Sequence, residues 1–590
     1  MKAKKTRVWV RRVLFVLFGA LLFVVGLNFG AISARLSALA EKMRNSISPV
    51  LVVTLLAKCG IVSVLAGLVT RCFQSRKERF LNGEVECSLQ KDYALIVGYD
   101  FQVKPLVKML LCSDENLTVL LMTDCDVRCI RLEMATELTK EEIKRLMIMR
   151  RDLAIDRSYQ SVRVRGAKSI YLMGDEGRPG RDGTLLRTSD ALARKAASEP
   201  KLETDSAVKV YMQLDDPTVY SQMRSRQLAM DQVDGDASVF DLELFNYYDS
   251  WVWKCWSQKG STDGSEPYLP LKFKADAPRV ELFVIGDGKA LKAFVDSAIT
   301  LLNYGNDARN CKLTVVSDRV VLPLDDVASA LPELELSAYP LRDLQRTVFP
   351  AMIDASSRND TSVTVAIAED EPDETLRRYL DLPFALRSRD VSALLWTNAQ
   401  SRNLPEKRLV KVDGDNARLR YLGMPDCLPW YGSGRYETGA DVNYYYSVHE
   451  KLPKGTDTEI LAAAKSLWNG EKAVKEWMKV PRWKKWSSVN SADSYKEKVA
   501  LIGGREVTPD ILLQLLKAEH DRWWTERLLA NWRAGARDNA RRLHPNLVPF
   551  DELDDFTKDI DKICIASMVR QGFISTAEAA EKRLVEEHRG

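Results

Sequence analysis

The sequence predicts an α/β protein with added helical parts: a transmembrane helical hairpin, two tandem parallel-sheet α/β units and a mainly helical C-terminal region. Three observations lead to this fold class. Two long apolar runs lie within the first 70 of 590 residues, strand-turn-helix patterns occur in two later stretches, and eight of the 13 tryptophans lie between Trp430 and Trp532. Because a single core seldom exceeds about 250–300 residues, several domains are expected.

Residues 1–72 are predicted to form the transmembrane hairpin. The uncharged run 13–32 has about the length that crosses a bilayer, and it is longer than the apolar region of a signal peptide. A second run covers about residues 50–70. Basic residues are concentrated at both outer ends of this hairpin, which places both termini in the cytoplasm. The expected location is the inner (plasma) membrane, in contact with the lipid bilayer.

Lys58 interrupts the second apolar run near its middle. An ionisable side chain is unfavourable inside a bilayer, so one interpretation is a role in a pore or in a charged helix–helix contact. The other is that the side chain reaches the interface from a short, tilted span. Two helices cannot enclose a pore alone, so a pore would require a homo-oligomer.

Residues 73–270 are predicted to form the first α/β unit. The stretch "KDYALIVGYDFQVKPLVKMLL" indicates a buried strand at Ala94–Val97, a tight turn and an amphipathic helix, and the next strand, "LTVLLMTD", ends in Asp124. Strands that alternate with helices indicate a parallel sheet covered by helices on both faces.

The turn after this first strand has part of a dinucleotide-binding pattern. Gly98 takes the place of the first glycine, whereas Asp100 and Val103 stand at the second and third positions. Asp124 lies where such folds hold a ribose hydroxyl. The pattern leaves open whether this unit binds a cofactor or keeps only the Rossmann-like fold, and Asp124 has the alternative of a helix cap or solvated strand end.

Residues 278–425 repeat the pattern. The stretch "VELFVIGDGKALKAFVDSAITLL" supplies a strand, then Gly286 and Gly288, and a helix with Leu291 at the third glycine position. The next strand, "CKLTVVSD", ends in Asp318, for which the same two interpretations stand. With two glycines present, a phosphate group could approach this turn.

A family resemblance follows from these stretches. "YALIVGY" and "AKSIYLMGDE", placed after a membrane segment, resemble the RCK domain (TrkA-N) that regulates potassium channels and transporters. The resemblance covers about residues 90–225 and, more loosely, 278–400. It implies a fold that senses NAD, ATP or ions and passes the change to a pore. The chain contains no TVGYG-type selectivity filter, so it is not by itself an ordinary potassium channel.

The composition changes after the second unit. Residues 426–457 are rich in glycine, tyrosine and polar residues and are predicted to be a linker, and residues 458–590 are predicted to be mainly helical. Thr508, Pro509 and Asp510 are typical of a helix start, and "ILLQLLKAEHDRWWTERLL" continues that helix. Glu519 lies on its apolar side, where a carboxylate needs a partner.

This tail resembles the RyR domain, the repeat first described in ryanodine receptors and also found in bacterial proteins. The matching stretches are "AEHDRWW", "NWRAGARDNARRLHPNLVPFDEL" and "KDIDK", preceded by "WSSVNSADSYKEKVALIG". The whole arrangement resembles bacterial proteins proposed to sense nucleotide-derived signals in conflict systems, which implies a role in antiviral defence.

Aromatic rings flanked by arginines can stack a purine, and arginine pairs with phosphate. The candidate ligand-binding residues of the tail are Asn490, Glu519, His520, Trp523, Trp532, Arg533, Arg537 and His544. The structural alternative is that Trp523 and Trp532 form the core of a helical domain and that His544 belongs to a capped turn.

The composition favours a binding protein over an enzyme. Four histidines leave little for metal or acid–base catalysis, so no catalytic or metal-binding residue is predicted. A net charge of only +4 argues against a nucleic-acid partner. The leading hypothesis is a membrane-anchored homo-oligomeric sensor of a nucleotide-type ligand: NAD, ATP, or another adenine nucleotide or ADP-ribose-type molecule. The alternatives are a channel or transporter subunit that regulates or scaffolds without its own pore, and a nucleotide-processing enzyme.

Overall fold

The computed structural model describes residues 67, 69–86, 89 and 91–574, with gaps at 201–207, 231–239, 257–277, 305–310, 320–323, 332–333, 390, 401–417, 425–434, 449–467, 481 and 504–506. The chain divides into two compact units, Met1–Asn82 and Gly83–Gly590. In the first unit, residues 69–81 are helical. Among the described residues no helix has the length and hydropathy needed to cross a membrane. The predicted span 13–32, nearly all of 50–70, and Lys58 lie outside the described residues.

The first α/β fold is a parallel sheet of six strands in the order β3-β2-β1-β4-β5-β6. Its strands are β1 (Tyr93–Val97), β2 (Thr118–Thr123), β3 (Leu146–Arg150), β4 (Ala167–Leu172), β5 (Val208–Gln213) and β6 (Phe240–Phe245). Its helices are α1 (Val103–Ser113), α2 (Val127–Ala135), α3 (Lys140–Arg145), α4 (Arg181–Ser198), α5 (Pro217–Met230) and α6 (Tyr247–Trp256).

Both faces of this sheet are buried, which explains why its strands are apolar without alternation. On β1, Leu95 and Val97 enter one hydrophobic core, and Ala94 and Ile96 enter the core on the other face. A parallel sheet needs this coverage because helices connect its strands. The prediction of a doubly covered parallel sheet is confirmed.

The second α/β fold has the sheet order β12-β11-β10-β7-β8-β9. Its strands are β7 (Arg279–Ile285), β8 (Lys312–Val316), β9 (Glu335–Tyr339), β10 (Thr361–Ala368), β11 (Ser392–Gln400) and β12 (Arg418–Met424). Its helices are α7 (Leu291–Tyr304), α8 (Leu324–Ala330), α9 (Phe349–Ser357), α10 (Pro372–Leu380) and α11 (Phe384–Arg387).

Counted in chain order, both sheets have the strand order 3-2-1-4-5-6. This is the order of dinucleotide-binding α/β folds, in which the ligand crevice lies at the carboxyl ends of the strands where the order reverses. The reversal falls between β1 and β4 in the first fold and between β7 and β10 in the second. Both glycine turns lie at these points.

The two folds meet at residues that follow their strands. The Nζ of Lys289, beside the second glycine turn, lies 2.6 Å from Oδ2 of Asp215, which follows β5. Tyr248 on α6 packs edge-to-face on Trp396 of β11, with ring centroids 6.3 Å apart. Further along α6, the indole nitrogen of Trp256 donates to the hydroxyl of Ser297 on α7 at 2.8 Å.

The C-terminal region is mainly helical, as predicted. Its elements are α12 (Arg435–Val448), α13 (Gly470–Lys479), α14 (Arg482–Asp493), α15 (Tyr495–Ile502), α16 (Pro509–Leu529), α17 (Asp555–Arg570) and two short paired strands, β13 (Arg533–Ala534) and β14 (Leu543–His544). α12 lies inside the segment for which the sequence predicts a linker, and its Val442 and Tyr445 are fully buried.

Helix α16 organises this region. The Thr508 side chain accepts from the amide of Ile511, and Pro509 occupies the first turn, as the sequence predicts. α16 packs on α7 of the second fold, where the Asn303 amide donates to the Thr525 hydroxyl at 3.0 Å. The apolar residues of the two helices belong to one continuous core. The C-terminal helices therefore do not form a core separate from the second fold.

Candidate functional site

Four side chains at the end of α16 and in the following loop form what we call the aromatic–arginine cluster: Trp523, Arg527, Trp532 and His544. The Arg527 guanidinium carbon lies 5.6 Å from the ring centroid of Trp523 and 5.4 Å from that of Trp532. The His544 ring meets both indoles edge-on, with centroids 5.1 and 6.4 Å away. Arg527 and Trp532 are buried, whereas Trp523 and His544 are half-buried and face solvent in part.

An exposed set of arginines borders this cluster. Arg533 is exposed on β13, and Arg537 and Arg541 are exposed on the segment that joins β13 and β14, where Arg541 lies 3.6 Å from Asp538. Arg542 instead anchors the segment, since its guanidinium donates to the Ala530 carbonyl oxygen at 3.2 Å. Arg533, Arg537 and Arg541 therefore place three guanidinium groups on this surface.

His544 is neutral at physiological pH. Its Nδ1 accepts from the amide of Asn546 at 3.1 Å, so the ring proton is on Nε2. Burial, together with Arg537 and Arg527, lowers the pKa of His544 to about 4. Among the described atoms, the buried indole nitrogen of Trp532 has no hydrogen-bond acceptor. The cluster thus combines a cation, an uncharged imidazole and a buried donor.

Glu519 belongs to a buried ionic network. Its carboxylate is paired with Lys498 and is 2.8 Å from Nη2 of Arg522, which in turn lies 2.8 Å from Glu526. Lys498 also donates to the Ser494 hydroxyl at 2.7 Å. Burial alone would raise the pKa of Glu519, but Arg522 and Lys498 hold it well below its usual range. The structure therefore places Glu519 inside the core, where it links α15 to α16.

His520 is also buried. Its Nε2 lies 2.8 Å from the Val548 carbonyl oxygen and must carry the proton, because a carbonyl only accepts. Its Nδ1 lies 3.6 Å from the carboxylate of Asp561. Burial opposes the charge on His520, but Asp561 raises its pKa above the ordinary value. Asn490 lies on α14, where its backbone oxygen accepts from the Ser494 amide at 3.2 Å.

The structure thus separates the candidates of the tail into two groups. Trp523, Trp532 and His544 come together, with Arg533 and Arg537 on the adjoining surface. Glu519 and His520 are both buried: Glu519 belongs to the ionic network, whereas the His520 ring centroid lies 5.8 Å from that of Trp523. The contacts of Arg527 with the two indoles and of Lys498 with Glu519 were not predicted from the sequence. The spacing of four residues between Trp523 and Arg527 on one helix was the available signal for Arg527, whereas Lys498 had none.

The first glycine turn is filled by the chain itself. Gly98 has φ +93°, and a Cβ there would lie 2.3 Å from backbone atoms of Gly174. The Asp175 carboxylate accepts from the amides of Tyr99, at 2.9 Å, and Asp124, at 3.1 Å. The Asp124 carboxylate lies 3.1 Å from Nη1 of Arg178. A ribose or phosphate would have to compete with these contacts.

The second glycine turn packs just as closely. A Cβ on Gly286 or Gly288 would lie 2.4 or 2.7 Å from the Ala368 carbonyl oxygen at the end of β10. The Glu369 carboxylate lies 3.3 Å from the Asp287 amide. Glycine is therefore required here by contact between the turn and β10, whatever the turn binds.

Carboxylates also occupy the rest of this turn. The Asp287 side chain accepts from the Ser317 hydroxyl and from the Asp318 amide, at 2.5 and 3.0 Å. Asp318 accepts from the Leu341 amide at 3.0 Å. The Lys289 amide is bonded to Asp370 at 2.8 Å. A phosphate group at this turn would meet several negative charges.

Comparisons with known proteins concern both the α/β folds and the tail. No curated protein matches the chain significantly. Solved structures with similarity to it include a point mutant of GsuK, at 13% identity, TM-score 0.36, 66% of this chain and 82% of that chain. GsuK bound to ADP matches at 14% identity, TM-score 0.35, 67% of this chain and 85% of that chain. The GsuK channel bound to NAD matches at 14% identity, TM-score 0.33, 66% of this chain and 73% of that chain. Residues 509–574, which hold the aromatic–arginine cluster, match the RyR domain family.

Proposed function

We propose that this protein is a membrane-anchored sensor whose RyR region binds a small phosphorylated ligand of the nucleotide type. The observation that carries the proposal is the position of the Arg527 guanidinium, 5.6 Å from the Trp523 ring centroid and 5.4 Å from that of Trp532, beside the exposed arginines of the β13–β14 segment. A base would stack on the accessible face of Trp523, and its phosphates would pair with Arg537 and Arg541 on that segment.

The cluster suits an uncharged base. The neutral His544 and the indole N–H of Trp532, which has no acceptor among the described atoms, can exchange hydrogen bonds with a heterocycle without a charge of their own. The cation of Arg527 lies against both indole rings and strengthens the stacking of an electron-rich ring beside them. NAD, ATP and ADP-ribose-type molecules combine such a ring with phosphates, and they are the first ligands to test.

In this proposal the two α/β folds connect the ligand site to the predicted membrane hairpin. Their glycine turns are bonded to carboxylates of the chain, so we assign them an architectural role and place the ligand in the RyR region. α16 packs on α7, and the ion pair of Lys289 with Asp215 continues to the first fold. In this proposal, ligand binding at α16 shifts the α/β folds and thereby changes the packing or the oligomeric state of the predicted membrane hairpin in a homo-oligomer. A coupling free energy of roughly 1–3 kcal/mol between the ligand site and the hairpin would be enough for such a response.

The test is thermal unfolding of the full-length protein in detergent with NAD, ATP, ADP and ADP-ribose. We expect one of them to raise the melting temperature, and the double variant Arg537→Gln with Arg541→Gln to weaken its binding about 10–100-fold, because charge-assisted hydrogen bonds are lost. The matched control is Arg194→Gln, which removes another exposed arginine with an aspartate partner, Asp156. It should bind like the wild type.

The alternatives predict other outcomes. If none of the ligands binds, the scaffold or regulatory-subunit hypothesis takes precedence, and the closed glycine turns of both folds favour it. If mass spectrometry shows that the bound ligand is converted, the protein is an enzyme. Membrane anchoring is tested by fractionation of cells, where loss of residues 1–72 should release the protein from the membrane. Ion flux in liposomes, compared with Lys58→Leu, tests for a pore.

A further inference from the structure

The crevice of the first fold lies between the carboxyl ends of β1 and β4, where the strand order reverses. In folds of this type, the N-terminus of the helix after the first strand draws an anion, because its amides and helix dipole point at the crevice. That helix is α1, which begins at Val103. In this protein a side chain of the chain itself already occupies the anion position.

The occupant is Asp100. Its side chain is completely buried, and one carboxylate oxygen accepts from the Gln102 amide at the start of α1 at 3.0 Å. The other accepts from Nη2 of Arg181 at 2.7 Å. Because Asp100 follows β1 and Arg181 follows β4, this ion pair closes the crevice at the reversal point.

Several contacts fix the position of the Arg181 side chain. Its Nε donates to the Met173 carbonyl oxygen at 2.9 Å, and its Nη2 lies 3.2 Å from Oε1 of Gln213. Gly174 makes room for it, because a Cβ there would lie 2.6 Å from Nε of Arg181. The Nη1 of Arg181 also lies 3.8 Å from Oδ1 of Asp215, which itself pairs with Lys289. These contacts fix the orientation of the guanidinium before any ligand binds.

A second observation points to a missing polar group. Gln102 is 2% exposed, and among the described atoms neither its amide oxygen nor its amide nitrogen has a hydrogen-bond partner. An unpaired buried amide is unfavourable, so native proteins seldom keep one without a reason. This amide belongs to the residue that precedes α1, next to the carboxylate of Asp100.

We propose that the first fold contains a latent site for a phosphate group, in which Asp100 is the internal substitute for the anion. The carboxylate meets the helix N-terminus and the guanidinium, the two groups that would receive a phosphate. The wild-type chain therefore keeps this site closed, and removal of the negative charge opens it to inorganic pyrophosphate. The inference does not depend on the ligand proposed for the RyR region.

The experiment uses the full-length protein with Asp100→Gly, which removes the carboxylate together with the volume it fills and installs the residue that dinucleotide turns use there. All proteins carry Arg537→Gln and Arg541→Gln, so that pyrophosphate bound by the exposed arginines does not contribute. At ten times its Kd, pyrophosphate should raise the melting temperature of the unfolding step of the first fold by about 3–6 °C in the Asp100→Gly protein. The protein with Asp100 should show no such rise.

Two controls assign the effect to this site. Adding Arg181→Gln to Asp100→Gly should abolish the rise, whereas Asp156→Asn, which removes an exposed aspartate paired with an arginine in the same fold, should produce none. If Asp100→Gly does not fold, Asp100→Ala takes its place, because alanine also removes the carboxylate and leaves room in the crevice. The proposal is overturned if the folded variant binds pyrophosphate no better than the parent protein, or if binding persists without Arg181.

Discussion

Four charged side chains of the C-terminal region, Lys498, Glu519, Arg522 and Glu526, alternate in sign through its interior. Removing such charges from water is strongly unfavourable, and the network is tolerable only because each group has an oppositely charged neighbour. Glu519 is the central member, since it contacts both cations. Its role is to hold α15 and α16 in one arrangement beneath the aromatic–arginine cluster.

Replacement of Glu519 by glutamine should therefore act on stability. Lys498 and Arg522 would lose their shared counter-charge in the interior, and we expect the free energy of unfolding to fall by about 3–5 kcal/mol. Urea unfolding of the full-length protein measures this change. The control is Glu141→Gln, which breaks the exposed pair with Lys144 and should change the free energy of unfolding by less than about 1 kcal/mol. Unchanged stability with weaker ligand binding would instead support the ligand contact predicted from sequence.

His544 gives a prediction about pH. Its pKa in the folded protein is about 4, below the ordinary 6.5. A depressed pKa contributes stability that is fully present above pH 6.5 and is lost as the pH falls toward 4. The free energy of unfolding of the wild type should therefore fall relative to that of His544→Phe across this window.

Urea unfolding at several pH values between 4 and 7.5 provides the comparison. Asn546→Ala, which changes a neighbour without a titrating group, should differ from the wild type by a constant amount. Parallel curves for the wild type and His544→Phe would contradict the neutral, half-buried imidazole.

For individual residues, the sequence predicted that Glu519 needs a partner but did not identify both partners. The apolar side of the helix predicted that Glu519 needs a partner, and the structure supplies two. Arg522 was available as a neighbour on the same helix, but Lys498 belongs to another helix and is brought close only by tertiary packing. The sequence does not encode that proximity in any local pattern.

Among the elements, the two glycine turns show how similar patterns produce different contacts. Each connects the first strand of a sheet to its first helix, and each presses on the strand across the reversal point. In the first fold the neighbour is the backbone of Gly174, and in the second it is that of Ala368. The glycines are explained by this packing before any ligand is considered.

Gly288→Ala tests that explanation. The added Cβ would lie 2.7 Å from backbone atoms of Ala368 and Glu369, which cannot move without disturbing β10. We expect the protein to lose about 1–3 kcal/mol of stability, as in overpacked cores. Thermal unfolding measures the loss.

The matched control is Gly183→Ala, where a Cβ on helix α4 would meet nothing within 4 Å. Alanine is the better helix former, so this variant should gain about 0.5–1 kcal/mol. A Gly288→Ala protein as stable as the wild type would mean that the turn can open, and would restore it as a phosphate-binding candidate.

Element types were well predicted because their signals are local. The apolar runs of β1 and β7 and the Thr508–Pro509 helix start each depend on neighbouring residues. Helix α12 was missed because tyrosine and polar residues make up most of its sequence, while its burial depends on contacts with α14 and α17. The carboxylates that fill the glycine turns, Asp175 and Glu369, follow later strands and meet the turns only in the folded sheet.

Over the whole molecule, the RyR region and the second fold share one core. The hydrophobic cluster that contains α7 continues into α16 and α17. The sequence predicted separate domains at these positions, because a change in composition marks a boundary in the chain and carries no information on which faces pack together. A common core implies that the two parts lose structure together.

Leu302→Ala tests this cooperativity. Leu302 is fully buried on α7, and its truncation should cost about 2–5 kcal/mol. Hydrogen exchange should then become faster in both β10 and α16, while β1 keeps its protection. The control is Leu95→Ala, an equally buried leucine of the first fold, which should affect β1 instead. Unchanged protection of α16 in Leu302→Ala would show that the RyR region is an independent domain.

The ion pair between Lys289 and Asp215 has a consequence for how this protein can change over time. Each residue belongs to a different fold, yet a reversal of charge at either position alone would set like charges against each other. Substitutions at the two positions should therefore be inherited in pairs, and a family tree of related chains should show them exchanging sign together or becoming neutral together.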